Sequence, residues 1–367
     1  MTGKKVVLVT GVSKGWGKRV ASELVTRPGL HIIGLDREKP DPEIKGLDFI
    51  QADIRNPHLV DLLQEEKVEV LCHLAFMETR RPDEQAFDFN VIGTMKVFGA
   101  CAQASVKKIV IMSTTAVYGA NPNNPAFLRE EHPLKNSSEN GYLHDMLEIE
   151  SFCNGFRLQA PEITLTLLRF PSIIGPSADT PMTRLLKQPF PPVLLGFDPM
   201  VQIIHESDVV AAILFSIDQD IPGVYNVAAE GVMPLDKLIK LAGKQPLPVF
   251  HLFAYWGTDL LNLTGLPYQK YAPVDIDYLR YTWVSDLSKM HDCMGFTPHY
   301  TAEEALREFA GFQRMRPYQT QSSELEHDEK RLKDTIERRR RLRQRQSGIA
   351  GPGDVMGDLD NEEEGGI

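Results

Sequence analysis

The sequence predicts an α/β fold: a doubly wound parallel sheet, a smaller C-terminal cap and a charged, partly disordered tail. Three observations predict it. Short apolar runs alternate with amphipathic stretches through the first 176 residues, a glycine-rich turn joins the first run to the first amphipathic stretch, and the composition becomes densely charged after residue 316.

Taken in order, strands are expected at 5–10, 31–35, 48–51, 70–74, 108–113 and 164–170, with helical crossovers between them. The crossover over 82–105 carries Phe87, Val91, Met95 and Phe98 at three- and four-residue spacing, which places them on one helix face. After Pro176 the elements shorten around two proline-rich stretches, 188–192 and 245–248, as in an irregular cap. The stretch 250–266 is apolar and aromatic, but Gly257, Asp259 and Gly265 break it too often for a bilayer span. A helix buried in the cap is expected there, with an apolar substrate wall or a membrane-surface contact as alternatives. Residues 324–345 are densely charged, with Leu325, Leu332, Ile336 and Leu342 among the few apolar positions, which predicts a solvated helix. The arginine run 338–343 reads as an exposed face in preference to a lipid or RNA site, and the glycine-rich, acidic end is expected to be disordered. The chain thus divides into a nucleotide-binding domain over 1–176, a smaller substrate-binding cap over 177–315 interleaved with it, and a charged helix and tail over 316–367.

At 42% hydrophobic and 25% charged the 367 residues suit a globular protein, and a net charge of -10 argues against a nucleic-acid binder. The N-terminus runs straight into Val6-Val7-Leu8-Val9 without a leader-like segment, so a cytoplasmic protein without a transmembrane segment is expected. Four scattered cysteines form no CxxC pair and ten histidines no HExxH spacing, so no metal is expected.

The turn Gly11-Val12-Ser13-Lys14-Gly15-Trp16-Gly17 sits between strand and helix. Glycines there allow a tight turn and close approach of a pyrophosphate to the helix N-terminus, the Rossmann arrangement. Asp36, at the end of the second strand, suits the two ribose hydroxyls of NAD and repels a 2′-phosphate. Lys14 and Arg37 keep NADP open as the less favoured cofactor.

These residues resemble the extended short-chain dehydrogenase/reductases, the NAD-dependent epimerase/dehydratase family of UDP-glucose 4-epimerase-like enzymes. The resemblance runs to about residue 312. It rests on Thr10-Gly11, Asp36, Ala52-Asp53-Ile54-Arg55, His73-Leu74-Ala75, Asn90-Val91-Ile92-Gly93-Thr94, Ser113 to Gly119, Leu168-Arg169-Phe170-Pro171, Ile204 to Val210, Tyr225 to Ala228 and Gly295 to Pro298. It implies that Asp53 and Ile54 hold adenine, that Leu74, Ala75 and Phe76 line the ribose path, and that Pro171 and Tyr142 also meet the cofactor. It further implies catalytic roles for Thr114, Tyr142 and Asn90. Family members often pair through helices equivalent to 82–105 and 141–158, which leaves a homodimer open.

Two departures stand out. The glycine spacing is TGxxxGxG, whereas the extended branch has TGxxGxxG, and the family's lysine is replaced by Met146, four residues after Tyr142. That lysine holds the nicotinamide ribose and favours tyrosinate, so with methionine the phenol is expected to stay near its ordinary pKa of about 10. Met146 is expected on the helix face toward the nicotinamide ribose. The leading expectation is an epimerase/dehydratase-like oxidoreductase with a degenerate site, acting on a nucleotide sugar or a related hydroxyl substrate. The alternatives are a catalytically silent NAD-binding sensor or scaffold, for which Met146 speaks, and a dehydrogenase of an apolar alcohol.

Overall fold

A computed structural model describes residues 4–135, 140–250, 276–315, 331–332 and 335–336. Strands β1 (Lys5–Thr10), β2 (Leu30–Asp36), β3 (Asp48–Gln51), β4 (Val70–His73), β5 (Lys108–Thr114) and β6 (Thr164–Phe170) form one parallel sheet. Further along the chain lie β7 (Ser172–Ile174), β8 (Pro192–Leu194), β9 (Met200–Val201), β10 (Ile203–His205) and β11 (Gly223–Asn226), of which β11 joins that sheet. The order is β3-β2-β1-β4-β5-β6-β11, so the chain winds outward in both directions from the gap between β1 and β4. The expected strands are all present.

The inner strands are apolar on both faces because helices cover both. Val7 and Val9 point to one side with α1 (Gly15–Leu24), and Leu8 points to the other with α2 (Leu59–Glu65). A short turn α3 (Glu84–Phe87), then α4 (Gly93–Gln103) and α5 (Gly141–Gln159), complete the Leu8 side through Phe98, Met146 and Phe156. On the Val7 side α7 (Glu206–Asp218) packs Val209, Ile213 and Ile217 beside α1. Only the ends of the edge strand β3 are exposed among these strands' central registers, in keeping with its polar Asp48 and Gln51.

The single helix face expected over 82–105 is corrected. A π-turn over Asp88–Ile92 inserts an extra residue per turn, which rotates α4 relative to the preceding turn. Val91 and Phe98 are buried, Phe87 is half-buried, and Met95 is turned out to 36% exposure.

The cap is built from small pieces: β7 with β10, β9 with β12 (Met233–Pro234), and β8 with β13 (Leu247–Val249), flanked by α6 (Pro181–Lys187), α8 (Leu235–Leu241) and a helix over 302–315. Its apolar cluster includes Leu185, Leu186, Ile203, Leu238, Leu306 and Phe309. Both proline-rich stretches feed the one two-stranded pair of β8 with β13, where a missing N–H is tolerated. The described residues up to 312 form one compact unit, and those from 313 belong to a second. In the second unit residues 331–332 and 335–336 are helical and exposed. The rest of the expected charged helix and tail, and the apolar stretch beyond Phe250, lie outside the described residues. No helix among the described residues is long and apolar enough to cross a membrane.

Candidate active site

The end of β1 is locked to the end of β4 by a buried chain of donors. Thr94 donates to the Asn90 carbonyl (2.5 Å) and accepts from His73 Nε2 (3.0 Å); His73 Nδ1 therefore accepts from the Thr10 hydroxyl (2.9 Å), which in turn accepts the Leu74 and Ala75 N–H groups (3.1 and 3.3 Å). Complete burial pushes the His73 imidazole down to about 3, so it stays neutral in this chain. The lock brings Gly11 against Leu74. Gly11 has φ +78°, and a Cβ there would lie 2.7 Å from the Leu74 carbonyl oxygen, so no other residue fits. A Cβ on Gly17 would run into the Gly11 carbonyl, which is why α1 can start directly under the loop.

No side chain caps α1 at Lys14, so its first N–H groups and the exposed Gly15 remain open for an anion. Asp36 faces the same loop: its Oδ2 accepts the Ser13 N–H (2.8 Å) and its Oδ1 the Arg37 N–H (2.7 Å). Each oxygen keeps a lone pair, and together they suit a pair of ribose hydroxyls. The Arg37 guanidinium lies 4.6 Å over the Phe89 ring, with Met77 beside it. Asp53 is gripped by Arg55, Nε to Oδ1 at 2.9 Å and Nη2 to Oδ2 at 2.7 Å, which holds its carboxyl below the usual range. Ile54 is buried against Gly93, Leu74 and Ala75 are buried, and Phe76 meets His73 edge-on at 4.9 Å. The loop, the strand ends and Asp36 thus fit the adenosine and diphosphate of a dinucleotide.

A cavity of about 730 Å³ opens beyond the loop. Of the residues expected from the sequence, Trp16, Thr114, Tyr142 and Pro171 line it together. Thr114 ends β5, and its Oγ1 accepts the Ala116 N–H (3.2 Å), leaving the hydroxyl hydrogen free to point elsewhere. Tyr142 opens α5, which Asn140 caps by accepting the Leu143 N–H (3.2 Å). The phenol does not keep its ordinary pKa: burial pushes it well up, and the Glu78 and Asp145 carboxylates push it further.

Asn90 does not reach the cavity wall. It is wholly buried, its Oδ1 accepts the Met77 N–H (2.8 Å), and its Nδ2 donates to the Met77 carbonyl (2.9 Å) and to Asp145 (2.8 Å), so here it positions the loop after β4. The expected orientation of Met146 is also corrected. It follows Tyr142 by one turn, yet its side chain is fully buried in the apolar layer beneath the sheet, because a thioether gains more from Phe98-type neighbours than from a polar cavity.

Beneath the wall lies a second buried network. Arg169 on β6 donates to Glu150 of α5 from Nε (3.1 and 3.0 Å) and Nη2 (2.5 Å), and from Nη1 to the Tyr118 hydroxyl (2.6 Å). Ser113 donates to Glu150 (2.5 Å), and Tyr118 donates to Asn226 (2.8 Å). The network ties α5, β5 and β6 together, the elements that bring Tyr142 and Thr114 to one cavity.

Sequence reasoning missed Glu78, Thr79, Arg80 and Arg184, which also line the cavity. The first three follow the C-terminal end of β4, where ligands of open α/β sheets bind, and that rule was the signal available. Glu78 is an exposed residue of the cavity lining. Neighbouring protein that screens its carboxyl from water pushes it up, against a lowering by Arg184, which is itself forked onto Asp179 (2.8 and 3.0 Å).

A family model described as the NAD dependent epimerase/dehydratase family matches residues 7–228. An uncharacterised Mycobacterium tuberculosis protein is 31% identical over 318 residues, 83% of each chain. An N-acetyl-alpha-D-glucosaminyl-diphospho-ditrans,octacis-undecaprenol 4-epimerase of Escherichia coli O157:H7 is 26% identical over 322 residues, 82% of this chain and 92% of its own. The fold matches the UDP-N-acetylglucosamine 4-epimerase of Methanobrevibacter ruminantium, solved with UDP-N-acetylmuramic acid, with a TM-score of 0.65 at 20% identity over 85% of this chain and 98% of that one.

Proposed function

Because the chain belongs to the NAD-dependent epimerase/dehydratase family, we propose that it uses bound NAD to oxidise a hydroxyl of a nucleotide sugar transiently, as an epimerase or dehydratase. The observation that carries this reading is the meeting of Thr114, Tyr142, Pro171 and the loop residue Trp16 on one cavity wall. NAD supplies the hydride acceptor. Asp36 holds the adenosine ribose, the open first turn of α1 meets the diphosphate, and Thr114 donates a hydrogen bond to the substrate oxygen. Tyr142 exchanges the hydroxyl proton, more slowly than a tyrosine assisted by lysine, since its pKa is raised and no ammonium lowers it. We place this activity in the cytoplasm.

Incubating the purified protein with NAD and each of UDP-glucose, UDP-galactose, UDP-N-acetylglucosamine and UDP-glucuronic acid tests the reading by chromatography of the products. Conversion of one of them, lost in Tyr142→Phe, is expected. No conversion, with NAD still bound, favours the second reading: a silent NAD-binding sensor or scaffold. The burial of Met146 in the core is the observation that speaks for it.

A further inference from the structure

Trp16 stands in the first turn of α1, one residue before Gly17, and is half-buried. It packs on the apolar cluster of the Val7 side and lines the cavity with Thr114, Tyr142 and Pro171. The position of its ring is set from outside the loop. The Arg19 guanidinium lies 4.9 Å from the indole centroid; its Nη1 donates to Glu206 Oε2 (2.8 Å) and its Nη2 to Ser177 Oγ (2.9 Å). Glu206 opens α7 and is buried, and its Oε1 accepts the Ser177 N–H (3.1 Å) and the Ser177 hydroxyl (2.9 Å). A Cβ on Gly175 would lie 2.3 Å from Glu206 Cγ, so the chain after β7 runs directly against this side chain.

Segments far apart in sequence thus converge on one aromatic ring of the cofactor loop. Holding an arginine in one conformation costs side-chain entropy, and what this holding fixes is one face of an indole whose other surface fronts the cavity. With its charge met by Glu206, the guanidinium leaves that surface flat and apolar toward a ligand. In the reading above the diphosphate sits at the N-terminus of α1, so the ribose and nicotinamide that follow it start beside Trp16, and the ring has to reach Thr114 and Tyr142. A planar aromatic ring arriving there gains by stacking on an indole. We propose that Trp16 is the platform on which the nicotinamide ring stacks, and that Arg19, held by Glu206 and Ser177, is the positioning residue that keeps the indole in place. The inference rests on the NAD-binding reading above. It makes the chain after β7, which leads into α6 of the cap, part of the cofactor site.

Titration of the full chain with NAD+ and with ADP-ribose, which lacks the nicotinamide, followed by calorimetry and by tryptophan fluorescence, tests this without any substrate. The chain has three tryptophans, Trp16, Trp256 and Trp283, so Trp256→Phe/Trp283→Phe reports on Trp16 alone. In that variant NAD+ is expected to quench the emission and ADP-ribose to leave it unchanged. Trp16→Leu should weaken NAD+ about fivefold and leave ADP-ribose unchanged. Arg19→Ala should lower NAD+ affinity and quenching together, again without effect on ADP-ribose, and Arg19→Lys, which keeps a cation for Glu206, should restore part of both. Equal quenching by the two ligands, or none by bound NAD+, overturns the platform. Arg19→Ala weakening both ligands alike overturns the positioning role, since that is the mark of a loop merely loosened. Should the double variant not fold, Trp16→Phe decides: loss of the NAD+ quenching supports the platform, and its survival overturns it. If neither ligand binds the unmodified chain, the cofactor reading itself falls and the proposal falls with it.

Discussion

Replacing Arg169 by methionine should cost the protein a large part of its stability. The Arg169 side chain is 3% exposed and its partner Glu150 1% exposed, with three nitrogen-to-oxygen contacts between them at 2.5 to 3.1 Å. Without the guanidinium the Glu150 carboxylate keeps only the Ser113 hydroxyl among these donors, and the Tyr118 hydroxyl loses its own donor as well. Breaking a buried pair from one side costs about 3–5 kcal/mol, because the remaining charge stays desolvated and unpaired. Against a typical total of about 5–15 kcal/mol that is about a fifth or more. Removing both charges should cost less than removing one, so Arg169→Met/Glu150→Leu should recover most of the loss. Urea unfolding followed by circular dichroism measures both variants. The reasoning is refuted if Arg169→Met costs under about 1 kcal/mol, as an exposed pair would, or if the double variant loses the sum of the two single losses.

Asp36→Ala should weaken NAD about tenfold or more and bring NADP to comparable affinity, since two charge-assisted hydrogen bonds go and the repulsion of a phosphate goes with them; calorimetry showing the unmodified protein indifferent to the two cofactors refutes this. Gly17→Ala should abolish cofactor binding with the fold retained or weakened, read by titration beside a melting curve, because its methyl meets the Gly11 carbonyl. The buried His73, held down to about 3 from an ordinary 6.5, takes up no proton as the pH falls while the unfolded chain does, so stability should drop below about pH 6.5, by about 2 kcal/mol at about pH 5. His73→Gln should flatten that part of the stability-against-pH curve. Truncation after Met315 should leave the melting temperature unchanged, since the described residues beyond it are exposed; a clear drop shows that the removed segment contributes to the fold.

The sheet was legible because its inner strands are buried on both faces and leave largely apolar runs, bounded by turn residues, in the sequence. The cofactor loop was legible for a different reason: Gly11 and Gly17 sit where backbone touches backbone, a requirement that a single residue type meets. What escaped was set by local geometry or by three-dimensional meeting. Nothing in the letters 88–92 announces a π-turn, and that one turn decides whether Met95 faces the core. Glu78 and Arg184 are 106 positions apart by number and meet because β4 ends where α6 begins to cover the cavity. Asn90 carries the family's motif, yet its role here is fixed by the Met77 backbone and Asp145, which no spacing rule pairs with it.

The first turn of α5 decides how the two readings of this protein relate. A lysine at position 146 would have to carry an ammonium into the apolar layer that Met146 fills, or swing out of it toward a ligand. With methionine the turn packs without any ligand: Met146 completes the core, Asn90 satisfies Asp145, and Tyr142 is left on the wall with its N–H donated to the Thr79 carbonyl (3.0 Å). The loop that carries Glu78 is therefore fastened to the helix that carries Tyr142, at Thr79 and through the Gly141 N–H at Arg80 (3.3 Å). Phenol and carboxylate are held as one unit by backbone, and a ligand entering the cavity meets both. A silent binding protein has no need of that fastening, since in the proposed reading adenosine and diphosphate would be met at Asp36 and the α1 loop. A fastening at the reactive end is what an acid–base site requires, and it weighs toward chemistry at Tyr142 despite the missing lysine.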